Sequence, residues 1–291
     1  MDIIWLGHGS FRIEIEDQIL LIDPWLTGNP MLDDAQHEAA LAGVTQILVT
    51  HGHFDHANSA VGICGDKGIP CVGIFDLMGF WEQKHGLEVI GFNKGGTVKL
   101  GNVAVTMVNA THSSSEQTAD GPRYLGNESG YMISGEGHTI YVSGDTDIMA
   151  DMEWMGDIHK PDIGILCAGG HFTMDMARAS YAAKRYFDFK TVIPCHYRTF
   201  PLLEQSAEVM KGELKGVEVI ELAPPGVQTE LTPGQSEREG YMPLDTYIEE
   251  VMTLFQQQPT PEEVCVEFVR PFRNAEKDGK VGEFMEMLAN R

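Results

Sequence analysis

The sequence has few cysteines and no pair of them at Cys-x-x-Cys spacing, few basic residues, and no apolar run long enough to span a bilayer. Its five cysteines, Cys64, Cys71, Cys167, Cys195 and Cys265, are odd in number, and several lie inside apolar runs such as Ile165-Leu166-Cys167. They read as buried free thiols in a reducing compartment, which argues against a disulfide framework or a thiolate metal site. The strongest apolar stretches, residues 18–22 and 45–49, have the length of strands, so no membrane partner is expected. The start, Met1-Asp2-Ile3-Ile4-Trp5, lacks a basic leader before an apolar run, and a cytoplasmic location is the expectation. Only 20 Lys and Arg stand against 43 Asp and Glu, a formal net charge of −23. Such a surface repels phosphate backbones, and no basic cluster offsets it, so nucleic acid is excluded as an expected partner.

What is present is ordinary for a globular chain: 291 residues, 43% apolar and 22% charged, enough to bury a large core. Three short strand-like pieces come first, at 3–6, 11–16 and 19–23, separated by Gly7-His8-Gly9-Ser10 and Asp17-Gln18. Later strands are predicted at 46–50, 72–74, 97–100, 103–108, 131–134, 139–142, 163–166, 191–194 and 217–220. Helices are predicted at 76–85, 145–155, 174–187 and 202–211. Meander followed by βα alternation occurs twice, before about residue 115 and again to 222. Two such halves with sheets face to face make an α/β fold, a four-layer αββα sandwich. Prolines and glycines after Leu222 break regular structure. Residues 232–291 then read as a helical C-terminal extension, with helices at 244–257, 261–272 and 281–289, following a domain over 1–231. The extension offers a route to a homo-oligomer.

The chemistry concentrates in Thr50-His51-Gly52-His53-Phe54-Asp55-His56, four potential ligands directly after a buried strand. Two imidazoles two residues apart on a tight turn can face one cation, with Gly52 relieving the backbone between them. Asp55 and His56, a turn later, can face a second. Clustered imidazoles without a partner are costly, which favours metal binding over a merely polar loop.

This motif resembles the metallo-β-lactamase superfamily, and further family positions follow in order: Asp23 in Leu21-Ile22-Asp23-Pro24, His112 in Thr111-His112-Ser113, Asp145 in Ser143-Gly144-Asp145, and His196 in Pro194-Cys195-His196. The likeness covers roughly residues 1–222. Gly7-His8-Gly9-Ser10-Phe11, Asp23-Pro24-Trp25-Leu26-Thr27-Gly28, Gly169-Gly170-His171-Phe172-Thr173 and His196-Tyr197-Arg198-Thr199 narrow it to a group of metal-dependent hydrolases related to the ascorbate-6-phosphate lactonases. His171, Arg198 and the tail from 232 depart from that group's pattern, which bears on the substrate rather than the metal ligands.

The resemblance implies His51, His53 and His112 on one metal, Asp55, His56 and His196 on another, Asp145 bridging, and Asp23 holding a ligand imidazole. The cofactors are then two divalent metal ions, zinc first, with manganese or iron also suited to nitrogen and oxygen donors. His53 stands where redox members of the fold carry a glutamate, which favours hydrolysis. A metal-bound hydroxide would attack a small polar ester, a lactone foremost, with Asp55 orienting it and carrying its proton. The expected partner is a small polar or anionic substrate. His8 reads either as a substrate contact or as a turn residue. His171 reads as a loop residue facing the metals in a substrate or leaving-group role, slightly ahead of a solvated loop histidine. Arg198 fits pairing with a substrate anion about as well as a surface salt bridge. A phosphodiesterase is the alternative activity, and a non-catalytic metal-binding scaffold the alternative class.

Overall fold

The computed structural model describes residues 1–214 and, beyond them, 218–219, 221–222, 227–228, 237, 241–255, 257, 263–274 and 280. The alternating apolar residues of the N-terminus form an antiparallel meander, β1 (Asp2–Trp5), β2 (Phe11–Ile15) and β3 (Gln18–Ile22). Parallel strands β4 (Gln46–Val49), β5 (Cys71–Ile74) and β6 (Val89–Phe92) extend that sheet. Nearly every residue of β4 and β5 is buried, as parallel strands covered on both faces require. Short helices α1 (His37–Leu41) and α2 (Phe54–Ala57) flank β4. The crossovers run through α3 (Ala60–Lys67) and α4 (Phe75–His85), closed by Gly68 and Gly86 at φ 65° and 69°, left-handed caps that suit glycine.

The second sheet repeats the plan. Antiparallel β7 (Thr97–Leu100), β8 (Val103–Asn109), β11 (Ser129–Gly135) and β12 (His138–Val142) are followed by parallel β13 (Ile163–Cys167), β14 (Thr191–Cys195) and β15 (Glu218–Val219). A separate hairpin, β9 (Glu116–Thr118) and β10 (Gly121–Arg123), precedes β11. Helices α5 (Met152–His159), α6 (Met176–Tyr186) and α7 (Glu208–Glu213) belong to this half. Phe11, Ile13 and Leu48 of the first sheet and Val105, Tyr131 and Ile165 of the second share one buried core. Each such side chain contributes about 1.5–3 kcal/mol. The sheets are tied where the site lies: Tyr131 Oη donates to Val49 O at 2.5 Å, and Ser129 Oγ to Thr50 O at 2.9 Å. The αββα sandwich expected from the sequence is therefore the fold.

The chain forms two compact units, Met1–Val219 and Ile220–Arg291. In the second, β16 (Glu221–Leu222) pairs with β19 (Glu263–Val264), and β17 (Val227–Gln228) pairs with β18 (Met242–Pro243). Helix α8 (Leu244–Phe255) buries Val251 and Leu254 against Met242, Val264 and Val266. A short α9 (Arg270–Arg273) follows. No helix among the described residues is long and apolar enough to cross a membrane.

Several elements differ from expectation. The helix expected over 145–155 begins only at Met152, because Asp145 and Thr146 are held in a loop where Thr146 Oγ1 accepts from Thr111 N. The helix over 202–211 shrinks to Glu208–Glu213. Leu203 N instead closes a turn on Phe200 O, and Glu204 N donates to the distant Gly169 O, so a turn and a tertiary bond stand where helical ones were expected. Of the helix expected over 261–272, the described residues from 263 onward hold strand β19, a buried run at Val264–Val266 and the single turn of α9. The helix over 281–289 lies outside the described residues. Strand β6 and helix α3 were not anticipated; the glycines of Val61-Gly62-Ile63-Cys64-Gly65 weaken the helical signal.

Candidate metal centre

Six strand ends converge on one point. His8 follows β1, Asp23 follows β3, His51 and His53 follow β4, His112 follows β8, Asp145 follows β12 and His196 follows β14. Carboxyl ends of strands are where α/β folds gather functional groups. Helix α2, one turn past His53, adds Asp55 and His56. His8, Asp23 and His196 take left-handed backbone at φ 54°, 44° and 62°, a region side-chain-bearing residues rarely occupy. Their backbone strain turns the side chains inward.

Asp145 sits at the centre, 3% exposed. Its Oδ2 lies 3.0 Å from His196 Nε2, 3.5 Å from His112 Nε2 and 3.9 Å from His51 Nε2, while Oδ1 is 3.3 Å from His56 Nε2. His51 Nε2 lies 3.0 Å from His53 Nδ1. The ring nitrogens of His51, His53 and His112 fall within 4.8 Å of one another, and so do donor atoms of His8, Asp55, His56 and His196. The structure thus brings together every residue for which a metal role was expected, in two neighbouring groups.

Asp23 is the buried anchor. It accepts from His56 Nδ1 at 2.8 Å, Thr50 N at 2.7 Å and Thr50 Oγ1 at 2.6 Å. This fixes the His56 ring and leaves its Nε2 directed at Asp145. His8 is fully buried. Its Nε2 lies 3.0 Å from Asp55 Oδ2 and its Nδ1 2.8 Å from Thr199 Oγ1. Because an ionised carboxylate only accepts, His8 donates from Nε2 to Asp55, and Nδ1 accepts from Thr199. His8 thus sits buried in a turn, its ring held between Asp55 and Thr199. Close backbone approach explains two glycines: a Cβ on Gly9 would lie 2.6 Å from His56 Cε1, and one on Gly169 would collide with the His196 carbonyl.

The electrostatics prepare the ring nitrogens. Burial lowers the basicity of His51, His53 and His112, so these rings are neutral with free lone pairs at neutral pH. Burial also takes His8 down to about 4, against the pull of Asp55. His56 goes the other way: burial opposes its charge, but Asp145 and Asp23 hold its pKa well above the usual range. Burial opposes ionisation of Asp145 as well, yet His196 and His56 hold it well below the ordinary carboxylate value. Buried polar atoms are normally satisfied. Here His56 Nε2 and His196 Nε2 are buried with no hydrogen-bond partner, although carboxylate oxygens lie within 3.3 Å. Buried ring nitrogens left without a hydrogen-bond partner, aimed at the same point as neighbouring carboxylate oxygens, fit metal coordination by nitrogen and oxygen.

A cleft of about 590 Å³ opens onto this group. Apolar side chains of Phe54, Phe172, Phe200 and Leu202 form one part of its lining, and Ser113, Ser115 and Gln117 another. His171 does not line it: the side chain is exposed and borders a separate depression with Asp175 and Glu204, while its neighbour Phe172 reaches the cleft. Arg198 is also exposed and outside the lining. The apolar wall had no signal in the sequence beyond aromatics flanking the ligand motifs.

Fold and centre together define a class, the metallo-hydrolase-like sandwiches with a histidine and aspartate cluster at the strand ends. Residues 2–196 match the β-lactamase superfamily domain. Over 221 residues the chain is 66% identical to a UPF0173 metal-dependent hydrolase of Cereibacter sphaeroides, covering 76% of this chain and 96% of that protein. A Paracoccus denitrificans relative of the same description is 64% identical over the same shares. Among solved structures, a metallo hydrolase of Ignicoccus hospitalis superposes with a TM-score of 0.65 at 30% identity, over 73% of this chain and 89% of that one. An isothiocyanate hydrolase from Delia radicum gut bacteria shares the fold, with a TM-score of 0.60 at 18% identity over 77% and 96% of the two chains. The chain belongs to the UPF0173 metal-dependent hydrolase family of the β-lactamase superfamily.

Proposed function

We propose that the protein hydrolyses a neutral carboxylic ester, most concretely a lactone, with His51, His53 and His112 holding one divalent cation and Asp55, His56 and His196 a second, Asp145 lying between them. Zinc, manganese and iron all suit this donor set. Cations held there supply Lewis-acid polarisation of the substrate oxygen and acidify water.

The protein's own groups do the rest. Asp23 and Thr50 hold the His56 ring in place. His8, braced by Thr199, keeps Asp55 Oδ2 engaged, which leaves Asp55 Oδ1 to take a proton from the attacking water. Water gives its oxygen to the acyl carbon, the acyl–oxygen bond breaks, and Asp55 returns the proton to the departing alkoxide. A lactone keeps that alkoxide tethered within reach, and the product is a hydroxy acid.

One observation carries the choice of ester over phosphodiester: among the described residues no lysine or arginine lines the cleft, so no protein cation awaits a standing phosphate charge. The test is metal analysis of the wild type and His53→Ala, with turnover of γ-butyrolactone and bis(p-nitrophenyl) phosphate. The reading expects about two metals per chain, lactone preferred, and both metal and turnover reduced in the variant. Preference for the phosphodiester overturns the ester assignment, metal uptake without turnover favours a non-catalytic scaffold, and a chain that takes up no metal after reconstitution overturns the metal assignment.

A further inference from the structure

Phe54, Phe172, Phe200, Pro201 and Leu202 line the cleft beside the centre. Phe54, Phe172 and Leu202 are 57%, 51% and 67% exposed, on a protein whose formal net charge is −23. Uncovered apolar side chains gathered beside a functional centre mark a binding surface. They come from three separate segments, and Phe54, Phe200 and the turn carrying Leu202 are held from behind. Phe200 stacks on the buried Trp25 with centroids 5.8 Å apart, and Phe54 meets the same indole edge-on at 5.6 Å. The turn carrying Leu202 is pinned by Leu203 N to Phe200 O at 3.0 Å and Glu204 N to Gly169 O at 2.8 Å. A preformed apolar wall of this kind gains from covering a matching ligand without first having to order itself.

The lining also holds the polar side chains of Ser113, Ser115 and Gln117, able to meet a carbonyl or ring oxygen. The ionisable groups reaching the cleft are the carboxylates Asp55 and Asp145 and the imidazoles of His53, His112 and His196, and Arg198 stands outside. A second negative group on the substrate would find no fixed cation beyond the centre itself. An alkyl chain or aromatic ring would cover Phe172 and Leu202.

We propose that the cleft selects lactones or esters bearing an apolar substituent, with the ester directed to the centre and the alkyl or aryl group laid on Phe172, Leu202 and Phe200. This rests on the ester-hydrolase reading above. It assigns specificity to a wall rather than to a charged clamp.

The test uses the metal-reconstituted full chain and a series of γ-lactones with 4-alkyl groups from methyl to octyl. The corresponding γ-lactams, which resist hydrolysis, are titrated calorimetrically in parallel. Burial of each methylene predicts a gain of about fourfold in kcat/KM and in lactam affinity, until the wall is covered. Phe172→Ala and Leu202→Ala should flatten both slopes, with losses that grow with chain length. Leu202→Lys should shift preference toward a phosphorylated aldonolactone. Normal turnover with a flat chain-length profile, or a wild-type preference for the phosphorylated lactone, overturns the proposal and spares the ester reading. Lactams that bind more tightly with chain length, while no lactone is turned over, overturn the ester reading and support the wall.

Discussion

His8 and Asp23 show how the centre depends on residues that reach solvent nowhere. Each holds a side chain of the cluster by a bond of 3.0 Å or less: His8 holds Asp55, and Asp23 holds His56. Partners of this kind commonly change metal affinity or activity ten- to a hundredfold when removed. His8→Ala should therefore retain metal while kcat falls by about ten- to a hundredfold. Elemental analysis with steady-state kinetics checks this, and loss of metal in proportion to activity would make His8 a ligand instead. Asp23→Asn should act on the metal itself. It leaves the His56 Nδ1–H and the Thr50 donors with a weaker acceptor, so metal affinity should fall by about ten- to a hundredfold. Stability should fall by about 1–3 kcal/mol, read by denaturant unfolding. At this scale the sequence was legible where the chemistry is dense. His51 through His56 declare themselves by spacing, and His112, Asp145 and His196 through the resemblance. A loop histidine beside two glycines, such as His171, carries no information about which neighbour turns inward. Phe172 does, and an isolated aromatic looks the same in sequence whether it fills a core or lines a cleft.

Among elements, the turns matter more than the strands they join. The strand pattern could be read because Val, Ile and Leu alternate or run continuously with turn residues between them. Two of the misplaced helices lie next to the centre, at 145–155 and 202–211, where bonds to distant backbone took the place of helical ones. Local propensity cannot report a competitor from another part of the chain. Gly169 marks the tightest of these junctions. Its backbone passes so close to the His196 carbonyl that a methyl group has no space, and the obstacle is backbone that cannot rotate aside. Gly169→Ala should cost about 1–3 kcal/mol of stability by overpacking. Displacement of His196 should also weaken metal retention, measured by elemental analysis after dialysis. A fully stable, fully loaded variant would show that the two loops separate freely.

For the whole molecule, the two-sheet design places neutral imidazoles and ionised carboxylates around one point, and the protons they carry link metal uptake to pH. His51, His53 and His112 are neutral at pH 7 because burial lowers their pKa values, so a cation displaces nothing from them. His56 is the exception: held charged by Asp145 and Asp23, it must give up its proton before its Nε2 can bind a metal. Metal binding thus releases a proton wherever the pH lies below the raised pKa of His56, and affinity weakens by about tenfold for each unit of pH lost per proton released. Because the cation binds only the folded chain, saturation at a hundred times Kd adds about 2.7 kcal/mol of stability. For a folded unit of this size that raises Tm by about 5–10 °C. At a fixed submicromolar free zinc concentration, set with a metal buffer, the Tm difference between loaded and chelator-treated protein should be wider at pH 8 than at pH 6. Scanning calorimetry at the two pH values decides the matter: an equal gap means His56 is not a proton-bearing ligand, and a gap that widens toward pH 6 places the cation elsewhere.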